Sequence, residues 1–185
     1  MDAQRLISRR LRRFRKHQGG TAAIEFAFVA GPFLFMMFAV IELALVFLLS
    51  TSLDAASDGA ARRIRTGQFQ DANQTAADFK NKICADMTWF ASNCSSSLIV
   101  HVTTHDTYAG IQSESVNPVK IVGTSRTAEP DRFPAAKIPP ERIVVVRSHY
   151  RWPLITPFLN AALARLDNGV ALISSTQAFV TEPYE

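Results

Sequence analysis

Two carboxylates, Glu25 and Glu42, bracket sixteen residues without charge, Phe26–Ile41. A carboxylate in an apolar helix is expensive, about 2.5–3.5 kcal/mol at a bilayer centre, so each of these acids calls for a partner or for a place near the helix ends. The second chemically distinct pair is Cys84 and Cys94. Their spacing is not the C-x-x-C of a redox pair. In an exported domain they read instead as a structural disulfide, which closes a short loop and contributes about 3 kcal/mol. His101 and His105 would share one face of a strand, but about 13 Å apart, too far for one metal ion. His149 is distant in sequence, and all three read as solvated strand or loop residues. Ser95–Ser97 lack the context of a nucleophile elbow, and no glycine-rich phosphate loop is present. The residue types therefore point to no catalytic centre, no metal and no cofactor, and the expectation is a protein that is not an enzyme.

The element that carries both acids is an anchor. Extending the charge-free run to residues 22–49 gives enough length to cross a hydrocarbon core of about 30 Å. The run is too long for the apolar core of a removable secretory signal, and no A-x-A site precedes a polar start. Pro32 frees the carbonyl of Phe28 and predicts a kink. Seven cations and one acid lie in residues 1–20, a net +6, whereas residues 21–185 hold thirteen cations and fifteen acids, a net −2. The overall +4 thus belongs to a short arm beside an apolar helix. It reads as a topology signal that keeps the N-terminus cytoplasmic and sends the rest outward. It also offers a contact to anionic membrane lipid, and no nucleic-acid partner is expected.

At the junction of arm and helix stands Gly19-Gly20-Thr21-Ala22-Ala23-Ile24-Glu25-Phe26. A glycine before a small residue, with Glu five places on and an aromatic next, resembles the prepilin peptidase site. The resemblance implies cleavage between Gly20 and Thr21, with Glu25 and Phe26 serving peptidase recognition and subunit registration. The anchor would stay on the mature protein. Glu25 lies only about 6 Å along the helix from the new terminus, so a neighbouring subunit's freed amine can pair with it. Glu42 is read either as a second contact between subunits or as a residue emerging at the far headgroups.

Beyond the membrane the helical pattern continues to about Thr66. Ala55, Ala56, Gly59, Ala60 and Ala61 form a surface for close packing, and Gly67 is a stop. A helix is predicted from Asn73 to about Cys84, on the stripe Ala76, Ala77, Phe79, Lys80 and Ile83. Strands are predicted at residues 97–104, 119–122, 142–150 and 169–181. Residues 157–166 read as a helix with Thr156 as N-cap and Pro157 at N1. The result is an α+β chain, in which a long N-terminal transmembrane helix precedes a small periplasmic domain with an antiparallel sheet packed on helix. Its expected parts are a basic leader (1–20), the membrane helix with its extension (21–68) and the periplasmic domain (69–185).

The run from Gly20 to Pro32, then Ile41-Glu42 and Ala60-Ala61-Arg62, resembles the TadE-like pseudopilins (TadE/TadF type) of the tight-adherence (Tad/Flp) pilus assembly system. The phrase Ile64-Arg65-Thr66-Gly67-Gln68, the Cys84/Cys94 pair and the ending Phe179–Tyr184 add to the likeness. It implies a minor pilin-like structural component needed to build adhesive Tad/Flp type IV pili. The implied partners are the prepilin peptidase, other pilins and pseudopilins of the system, and the inner-membrane assembly platform. The implied location is the inner membrane, with the C-terminal domain in the periplasm or carried into the pilus. Glu25-Phe26 in place of Glu-Tyr, and the large C-terminal domain, set this chain apart from the short major pilins. The competing reading is an unprocessed single-pass anchor carrying a periplasmic binding or adhesin domain.

Overall fold

The computed structural model describes residues 20–71, 74–87, 93–113, 117–134 and 137–183. Its first element, α1, is a helix of 45 residues, Thr21–Arg65, and it continues through Pro32. Arg62, Arg63 and Arg65 occupy the last turn, where cations complement the negative end of the helix dipole. The helix stops where expected. The Thr66 N–H reaches the Arg62 carbonyl at 3.0 Å, and Gly67 then takes φ +79°, a left-handed conformation that costs glycine least.

The chain divides into two compact units, Met1–Ile41 and Glu42–Glu185. In the first, the described residues are the start of α1, and their large apolar side chains, among them Phe26, Phe28, Val29 and Phe33, are exposed. By length and composition α1 is able to cross a membrane, which fits a single-pass membrane anchor. The basic arm before Gly20 lies outside the described residues.

The second unit is built on the rest of α1. Leu49, Leu53, Ala56, Ala60 and Ile64 are buried at the three- and four-residue spacing of one helix face. Two short helices follow, α2 (Gln68–Asp71) and α3 (Ala76–Asp86). The start of α3 is fixed by a capping box: Thr75 accepts from the Asp78 N–H, and Asp78 accepts from the Thr75 N–H at 2.8 Å. That reciprocity satisfies two otherwise orphaned donors. Asn73, the predicted start of this helix, lies outside the described residues.

After α4 (Cys94–Ser97) come β1 (Leu98–His105), α5 (Tyr108–Ser113), β2 (Val119–Val122), β3 (Ser125–Ala128) and β4 (Ile143–Pro153). The chain closes with α6 (Pro157–Leu163), β5 (Ala164–Leu166) and β6 (Val170–Val180). The main sheet is antiparallel, in the order β1-β4-β6-β5, and β2 pairs with β3 as a separate hairpin. Residues paired across β1 and β4 share a face, so Leu98, Val100 and Val102 align with Tyr150, Ser148 and Val146. The apolar members of that set join the α1 stripe, Phe79, Ile83 and Met87 in one core. The fold is thus α+β, with an antiparallel sheet on helix.

The outer edge of β1 is covered. The Val102 N–H reaches the Arg132 carbonyl and the Arg132 N–H reaches the Val100 carbonyl, at 2.8 and 3.0 Å, which removes a template for edge pairing. The segment after β6 returns to α1. The Glu182 N–H donates to the Arg65 carbonyl at 2.8 Å, and the two side chains form an ion pair at 3.1 Å.

One expected element needs correction. The helix predicted over residues 157–166 ends at Leu163, and Ala164–Leu166 forms an edge strand on β6. Asn168 and Gly169 both take positive φ, 60° and 71°, so the Asn-Gly pair turns the chain back as a hairpin. The chain after β2 also turns back as a hairpin. Gly123, at φ +63°, turns the chain into β3, which is held by Asp167 through the Ser125 hydroxyl and the Arg126 N–H, each at 2.8 Å.

Candidate processing junction and the helix carboxylates

Gly20 is exposed and directly precedes the first residue of α1. A β-carbon added there would meet nothing within 4 Å. Thr21 and Glu25 are exposed, and Phe26 is 73% exposed. Helical spacing of four puts Thr21 and Glu25 on one face, with a rise of about 6 Å between them. The four residues singled out at the junction are therefore all exposed. Gly20 itself takes a 3-10 conformation directly before α1.

Glu42 behaves differently. It is buried, at 6% exposure. Its carboxylate accepts the backbone N–H groups of Ile155 and of Thr156, the latter at 2.8 Å. These donors stand at the entry to α6, where Thr156 is the N-cap residue, makes no side-chain cap of its own, and is followed by Pro157 at the first helical position. A carboxylate at a helix N-terminus binds orphaned donors and meets the positive end of the dipole. Glu42 is therefore the cap of α6, supplied from α1, and the sequence reading of Glu42 misses this contact within the chain. One cue was present: Thr-Pro at a helix start leaves backbone donors in need of an acceptor. Nothing local names an acceptor 114 positions away.

Cys84 and Cys94 form a disulfide with Cα atoms 5.6 Å apart. It ties the end of α3 to α4 and thus to the start of β1. Both residues are buried in the core, and Met87 lies beside Cys94.

The histidines are not solvated as expected. His101 is fully buried and His149 nearly so, because β1 and β4 are adjacent and their rings meet edge to face at 5.4 Å between centroids. His101 Nε2 lies 2.8 Å from the Pro130 carbonyl, and His149 Nδ1 lies 2.7 Å from the Ser174 hydroxyl. Burial, with His101 and Arg147 adding to it, pushes the His149 pKa down to about 4. No group of three or more His, Cys, Asp or Glu residues able to hold a metal occurs among the described residues. His105 instead contacts the Thr103 hydroxyl at 3.0 Å.

No curated protein and no solved structure matches the chain significantly. The TadE-like family is a structural pilus component and not a known enzyme family. Residues 20–62, which hold the open junction, both helix carboxylates and most of α1, match the family model of TadE-like proteins, consistent with a TadE-like protein of the Tad pilus system.

Proposed function

We propose that this chain is a minor pilin-like component needed to assemble adhesive Tad/Flp pili, and that a prepilin peptidase cuts it between Gly20 and Thr21. The observation that carries this reading is the open Gly20–Thr21 junction with Glu25 on the same helix face as Thr21, inside the span that matches the TadE-like family. Cutting removes the cationic arm and leaves α1 as an anchor in the inner membrane, with the sheet domain on the periplasmic side. The freed amine of one subunit then neutralises Glu25 of its neighbour, which sets the register of their helices. The partners are the peptidase, other pilins and pseudopilins of the system, the inner-membrane platform and membrane lipid.

The test is the mature N-terminus. Intact-mass measurement of the protein from cells with the peptidase should give Thr21 as the first residue, and cells without it should retain the arm. An uncut chain in peptidase-positive cells favours the unprocessed anchor with a periplasmic binding or adhesin domain.

A further inference from the structure

The loop between β4 and α6 presents one apolar side chain to the outside. Ile155 is 86% exposed, the highest value for a large apolar residue among those described. Its neighbours Leu154 and Thr156 are buried, at 8% and 7%. The backbone holding it is fixed. The Leu154 N–H donates to the Gly169 carbonyl at 3.0 Å, and the next two N–H groups donate to the Glu42 carboxylate. Three successive donors are bound, so the isoleucine is held outward.

Glu42 also sets the level at which Ile155 stands. Around it in α1, Ile41, Leu43, Leu45, Phe47 and Leu48 are all exposed by 40% or more. The run of 28 residues from Thr21 to Leu48 rises about 42 Å, the thickness of a hydrocarbon core with its headgroup layers. Glu25 and Glu42, seventeen residues apart, are about 26 Å apart along it, each near one face of the hydrocarbon. A bilayer that takes up this whole run reaches Ile155 as well. A single projecting side chain offers far less area than a protein interface requires, whereas lipid tails accept it without a matching shape.

We infer that Ile155 inserts into the outer boundary of the bilayer, so that the β4–α6 loop is a second membrane contact and Glu42 is the residue that positions it. The inference rests on α1 crossing the membrane. It is tested with the full chain in vesicles of phosphatidylethanolamine and phosphatidylglycerol, carrying a nitroxide at I155C, F33C or T127C. The oxidised Cys84–Cys94 pair does not take the label, and the exposure of Ile155 lets the substitution leave the core untouched. At position 155, collisions with oxygen should exceed collisions with a water-soluble nickel chelate, as at position 33, with the reverse at the sheet hairpin position 127. A water-type signal at 155 with a lipid-type signal at 33 overturns the inference and leaves the anchor standing. A water-type signal at 33 removes the anchor and the inference together. Shielding of 155 from both quenchers means that protein covers the loop, which also overturns it.

Discussion

The Glu42 carboxylate and the Thr156 N–H meet at 2.8 Å although 114 positions separate them. This bond, with its twin to Ile155, ties the helix to the far end of the sheet domain. A hydrogen bond to a charged group is worth about 1.5–3 kcal/mol, and burying an orphaned donor adds to the loss. Glu42→Ala is expected to destabilise the unit by about 2–3 kcal/mol, a fall in Tm of roughly 5–10 °C. Thermal unfolding in detergent checks this, and an unchanged Tm would remove Glu42 from the cap.

The disulfide closes a loop with a sequence separation of 10, for which the chain-entropy estimate is about 3 kcal/mol. The double variant Cys84→Ala/Cys94→Ala should unfold at lower denaturant with an m-value close to the parent. A parent under reductant should follow the same curve, and equal midpoints for reduced and oxidised protein would show that the bridge contributes nothing.

Acid should weaken the domain through His149. Its folded pKa, about 4, lies below the ordinary histidine value of 6.5. Between those values the unfolded chain binds a proton that the folded chain refuses. The stability due to neutral His149 is full above pH 6.5 and is lost as pH falls toward 4, by at most about 3 kcal/mol. The measurement is Tm from pH 7 to pH 4.5, with His149→Gln expected to flatten the slope. Parallel slopes for the two proteins would refute the assignment.

The turn into β6 sets a stricter demand. Gly169 has φ +71°, and a β-carbon there would meet Asn160 Nδ2 at 2.7 Å. Gly169→Ala should therefore cost about 1–2 kcal/mol, more than the gain from stiffening the unfolded chain. Adding Asn160→Ala should recover the clash but not the φ strain, so partial rescue in denaturant titrations is the expected outcome.

What the sequence makes legible follows the range of the interactions. Helix α1 is legible because its apolar run, its terminal arginines and Gly67 are local signals that agree. Strands β1 and β4 announce themselves through alternation and the run Ile143–Val146. The Asn168-Gly169 turn is also local and readable, but Thr156-Pro157 earlier in the segment favours a helix, and the longer helix overrides it. Contacts set by strand order are of another kind. His101 meets His149 only because β1 pairs with β4, and Glu42 meets Ile155 only because the sheet carries residue 155 back to α1. No local pattern encodes either meeting.

The two junction residues have separable roles in the proposed processing. Gly20→Ala should slow cutting, since a side chain is added where the peptidase grips bare backbone. Glu25→Ala should be cut normally and yet fail to support fibres, because the freed amine loses its partner. Normal fibres from the Glu25 variant would contradict the registering role while leaving the cut intact.

The most direct measurement is the identity of the first residue in protein recovered from the native membrane. The processing account predicts Thr21 when the peptidase gene is intact and the complete arm when it is deleted. A chain still carrying its arm in the intact strain would contradict it.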